Sequence, residues 1–121
     1  MIATWMRAGL IAAATVVAGE AAARDFAVDS SCCGVLYYSL RGDGEVSGHY
    51  PKQEGVIRGR VGPEGTATGL WTQPRSDHPC VRPRGGSYAW GRFVIYDIGT
   101  RRISGDWGYC DEIPNRGWGF R

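Results

Sequence analysis

Residues Val56–Val61 alternate strictly. Ile57, Gly59 and Val61 fall on one side of the chain and Arg58 and Arg60 on the other. A period of two is that of a strand buried on one face. Thr66–Trp71 answers it across Gly62-Pro63-Glu64-Gly65, with Ala67, Gly69 and Trp71 sharing a side, so the two runs predict a hairpin. Ser87–Tyr96 predicts the longest strand. Ala89, Gly91, Phe93 and Ile95 line one side of it, and Tyr88, Trp90, Arg92, Val94 and Tyr96 the other. The chain turns at Asp97-Ile98-Gly99-Thr100. Arg101–Tyr109 then returns with Arg101, Ile103, Gly105, Trp107 and Tyr109 on one side. Val35–Leu40 and Glu45–Tyr50 predict two earlier strands around the turn Arg41-Gly42-Asp43-Gly44, and Arg116–Arg121 predicts a short last one. Residues 24–33 read as a polar lead, and Thr72–Gly86 as a long loop.

A short element recurs through these strands: Gly, any residue, then an aromatic. It appears as Gly48-His49-Tyr50, Gly69-Leu70-Trp71, Gly91-Arg92-Phe93 and Gly117-Trp118-Gly119-Phe120. A strand glycine leaves room for a large ring from the neighbouring strand and lets a small sheet coil tightly. The pattern therefore predicts an all-β fold. It is a small antiparallel meander of about six to eight short strands, a curved sheet approaching a barrel or sandwich. Over residues 46–121 the spacing resembles small exported bacterial β-meander proteins with Gly-x-aromatic hairpins, and Gly117-Trp118-Gly119-Phe120-Arg121 resembles their tail. The resemblance is structural and implies no activity. Avidin-like and lipocalin-like barrels share the Gly-x-aromatic habit, without a residue-by-residue match to their ligand sites.

The first 23 residues break from this pattern. Arg7 precedes the apolar run Leu10–Ala18, and Ala21-Ala22-Ala23 follows, which reads as a signal peptide with cleavage after Ala23 or, as the alternative, after Ala21. The run is shorter than the roughly 20 residues a spanning helix needs, so no stable membrane span is expected after cleavage. This leaves residues 24–121 as a single all-β domain of 98 residues, secreted or periplasmic. Such a length excludes a multidomain enzyme and a nucleotide-binding α/β fold. Export makes disulfides the default for Cys32, Cys33, Cys80 and Cys110. Of the three pairings, a direct Cys32–Cys33 bond closes a strained eight-membered ring. The expectation is that each member of the N-terminal pair reaches Cys80 or Cys110.

Charge adds little, since the net charge is +2 and gives no case for nucleic acid. Arg75, Arg82 and Arg84 do cluster in the proline-rich loop. His49 and His78 stand apart, no C-x-x-C is present, and no nucleophile sits at a recognisable elbow, so no cofactor, metal site or catalytic residue is expected. Thirteen of the fourteen aromatic residues fall after residue 23. If Phe93 and Ile95 point inward, Tyr88, Trp90, Arg92 and Tyr96 form an outward row, joined by Arg82 and Arg84 from the loop. The leading expectation is a non-enzymatic binding module that recognises a glycan or another exported protein through these six residues. The alternatives are an inhibitor or interaction protein acting through a disulfide-pinned loop 72–86, and a barrel that holds a small ligand inside.

Overall fold

The structure is a computed structural model, and it describes residues 23–121. The signal-peptide reading of residues 1–23 falls, Ala23 apart, outside the described residues. The chain forms eight antiparallel strands in simple up-and-down order: β1 (Arg24–Ser30), β2 (Gly34–Leu40), β3 (Glu45–Tyr50), β4 (Gly55–Val61), β5 (Ala67–Gln73), β6 (Ala89–Tyr96), β7 (Ser104–Trp107) and β8 (Arg116–Trp118). The sheet curls until its two edges touch. Asp29 N–H donates to Arg121 O at 2.9 Å, Arg121 N–H donates to Asp29 O at 2.8 Å, and Ser31 N–H donates to Gly119 O at 2.8 Å.

The lead over 24–33 is thus a strand for most of its length. Phe26 and Val28 alternate with exposed Asp25, Ala27 and Asp29, and the polar majority hides a period of two. Its pairing runs from Arg24↔Leu40 to Ser30↔Gly34.

The inner face carries the core: Leu36, Tyr38, Val46, Tyr50, Ile57, Ala67, Trp71, Phe93, Ile95 and Trp118 are all buried. Five buried aromatics each face a glycine directly across the ladder. The pairs are Tyr38↔Gly48, Tyr50↔Gly55, Trp71↔Gly91, Phe93↔Gly69 and Trp118↔Gly105. At Gly55 a Cβ would run into the Tyr50 ring, and at Gly91 into the Trp71 ring and Gly108 O. These glycines let wide rings lie flat inside a narrow curl, as the sequence pattern requires. Trp118 meets Tyr50 edge-on at 6.1 Å and Phe93 at 6.5 Å, so rings from β3, β6 and β8 share one interior.

One pairing expectation is overturned. Cys32 bonds to Cys33, and Cys80 bonds to Cys110. The N-terminal pair forms the β1–β2 turn, next to the seam where the sheet edges meet. Cys80 and Cys110 are brought together beside β6, where Cys80 N–H donates to Tyr88 O at 2.7 Å and Cys110 N–H to Trp90 O at 2.9 Å. Ring closure between neighbours is the geometry left to Cys32 and Cys33 once those two partners are joined.

Candidate functional site

An up-and-down sheet places alternate connections at opposite ends. Turn 31–33, turn 51–54, loop 74–88 and loop 108–115 all fall at one end. That end is open. It holds a cleft of about 1100 Å³, with Tyr50, Trp71, Ala89 and Trp118 low in its wall and Trp107 and Tyr109 beside them. The rim carries Lys52, Gln53, Gln73, Ser87 and Tyr88 together with the Cys32–Cys33 pair.

Several of these groups are fixed by their partners. Tyr50 Oη donates to Gln73 Oε1 at 2.9 Å, and Gln73 Nε2 donates to Arg75 O at 3.0 Å, so both ends of the Gln73 amide are oriented. Burial pushes the Tyr50 phenol well above its ordinary range, which keeps its proton for that bond. Trp71 Nε1 donates to Gly108 O at 3.0 Å. Tyr109 has company on its ring: His78 packs on it at 4.4 Å and the Arg116 guanidinium lies 4.9 Å from its centroid. The indole N–H of Trp118 is buried and has no acceptor among the described residues. Such an orphan donor costs about 1–3 kcal/mol.

The six residues expected to bind do not form one row. Phe93 and Ile95 point inward, so Trp90, Arg92 and Tyr96 do lie on the outer face of β6. Trp90 is nevertheless only 3% exposed, which removes it from any open binding surface. Loop 74–88 folds over it from outside. Trp90 Nε1 donates to Arg82 O at 2.7 Å, and the Arg84 guanidinium lies 4.9 Å from its ring centroid. The alternating pattern separates the two faces of β6 without deciding which is inner, and a covering loop is a tertiary event that no local period encodes. Arg92 is exposed on that face and donates to Asp111 O at 3.4 Å. Tyr96 is exposed at the far end of β6 and lines no part of the cleft. Of the six, Tyr88 alone lies at the cleft, 54% exposed on its rim.

Sequence reasoning missed the cleft residues Tyr50, Lys52, Gln53, Gln73, Trp107 and Tyr109. The signal was present: all of them border connections at the same end of the meander. Among the described residues no group of His, Cys, Asp and Glu is placed to hold a metal ion, and no helix is long and apolar enough to cross a membrane. Comparison with family models, curated proteins and solved structures found no match for the chain.

Proposed function

We propose that the chain is an exported binding protein that takes a short glycan in the cleft at the open end of its sheet. The observation that carries this reading is the cleft itself, with buried rings low in its wall and amide, hydroxyl and ammonium groups around its rim. A sugar ring has an apolar C–H face and a polar edge, and it matches that division. Tyr88 supplies an accessible ring for stacking. Gln53, Gln73, Ser87 and Lys52 supply donors and acceptors at the rim. The glycan class kept from the sequence thus moves from the outer face of β6 to the interior end of the same strand.

The test is a titration of the full chain with neutral and uronic-acid oligosaccharides, read by tryptophan fluorescence and calorimetry. At least one class should bind, and Tyr88→Ala should weaken it at least tenfold while the thermal midpoint stays put. Absence of binding across the panel, or undiminished binding by Tyr88→Ala, overturns the reading.

A second reading has its own observation. Val81 is 94% exposed on a loop tied down by Cys80–Cys110 and by the Trp90–Arg82 hydrogen bond. A rigid exposed tip loses little entropy on docking, which supports an interaction element at Val81-Arg82-Pro83. Under this reading Arg82→Ala weakens a protein complex and leaves oligosaccharide binding untouched.

A further inference from the structure

The two disulfides differ in what they can do for the fold. Cys80–Cys110 closes a long loop, with a sequence separation of 30, and its Cα atoms are 5.7 Å apart. It constrains the unfolded chain substantially, as a staple should. Cys32–Cys33 joins sequence neighbours, encloses no other residue, and removes almost no freedom from the unfolded chain. Stapling does not account for it. Its position is also different. Cys32 is exposed in the β1–β2 turn, Cys33 is buried against the core, and both border the cleft.

The Cα atoms of Cys32 and Cys33 are 3.7 Å apart, as neighbours in the chain must be, and this is shorter than the roughly 4.4–6.8 Å that disulfides prefer. Constrained and exposed disulfides are the reducible ones. We infer that Cys32–Cys33 is a reversible thiol–disulfide exchange site in the cleft wall, whose co-substrate is a thiol reductant. The reductant's thiolate attacks the exposed Cys32 Sγ. The Cys32–Cys33 bond breaks, a mixed disulfide forms at Cys32, and Cys33 leaves as a thiolate that takes up a proton. A second thiol then attacks the reductant's sulfur. Cys32 is released as a thiol, and the reductant departs as its own disulfide. Two electrons pass to the protein and two reductant thiols become one disulfide.

The surroundings give this exchange a structural consequence. The turn also carries Ser31, whose N–H donates to Gly119 O at 2.8 Å and whose Oγ accepts from Gly119 N–H at 2.9 Å. Cys33 N–H donates to Ser30 Oγ at 3.2 Å. Opening the ring therefore loosens one wall of the cleft and the adjoining seam together. The inference stands apart from the glycan reading, because the exchange is read on the sulfurs and needs no ligand.

The test uses the full chain, equilibrated with graded ratios of reduced to oxidised glutathione, alkylated and mapped by mass spectrometry. Cys32 and Cys33 should be alkylated at a ratio at least tenfold less reducing than Cys80 and Cys110 require. Oxidised glutathione should modify Cys33→Ser, which leaves Cys32 as an exposed thiol, and should spare Cys32→Ser, whose remaining thiol is buried. Reduction of Cys80–Cys110 first, or of both bonds together, overturns the proposal. Should either variant fail to fold, the wild-type map decides alone.

Discussion

The two ends of the curled sheet start from the same inner face and finish in opposite ways. At one end the β6–β7 connection turns inward. Ile98 and Ile103 are buried there, Ile98 N–H donates to Gly65 O at 3.1 Å, and Gly99 N–H donates to Tyr38 Oη at 3.1 Å across the interior. Gly99, at φ +80°, sits so close to Leu40 and Phe26 that a Cβ would meet both. This connection is a plug. At the other end the long connection, loop 74–88, borders the cleft with its two ends and packs its middle on the outer face of β6, over Trp90, where Cys80–Cys110 anchors it. Its outward docking leaves the cleft open. The lesson is that an interior is closed or left open by where a connection finds its apolar partner, more than by what lines the sheet.

The sharpest way to break that contrast is to remove what holds the long loop outside. Trp90→Ala deletes a buried indole that bridges the sheet and the loop. Loss of a buried Trp costs about 3–5 kcal/mol, far more than a surface aromatic would. Urea unfolding should show that loss, and a change below about 0.5 kcal/mol, the usual range of a surface substitution, would place Trp90 outside the packed structure.

At the plugged end, Ile98→Ala should cost about 2–5 kcal/mol, since it empties a buried site in a short connection. The two ends are separate, so oligosaccharide titration of Ile98→Ala in its native baseline should match wild type. A weakened titration curve would show that the plug supports the cleft, and the contrast between the ends would lose its independence.

Much of this organisation was legible in the residues. The alternation of Ile57, Gly59 and Val61 against Arg58 and Arg60 gave a correct inner face, as did Ala67, Gly69 and Trp71. The recurring Gly-x-aromatic spacing points to a curled sheet from the sequence alone. Three features were out of reach. Charged Asp25 and Asp29 mask β1, because the outer face of an edge strand is free to be polar. The alternation leaves the facing of Trp90 open, and its burial under a loop depends on residues remote from its strand. The disulfide partners depended on which loops meet beside β6, and spacing along the chain does not encode that meeting.

The smallest expected effects come from one residue type used at both ends. Tyr38 and Tyr50 are each buried, and burial raises the phenol pKa of both. At Tyr38 the Gly99 N–H and Arg24 pull the other way, while at Tyr50 burial acts alone. A phenol raised in the folded state stabilises fully below its unfolded value of about 10 and loses that contribution as pH climbs toward the folded value. Both tyrosines therefore make the fold weaken above about pH 10, and Tyr50 carries the larger share. Tyr38→Phe removes the acceptor for Gly99 N–H and should cost about 0.5–1.5 kcal/mol at neutral pH. Tyr50→Phe should flatten the alkaline limb of the thermal midpoint more than Tyr38→Phe does. An equal flattening, or a greater one from Tyr38→Phe, would mean that the phenol at the open end is at least as well solvated as Tyr38.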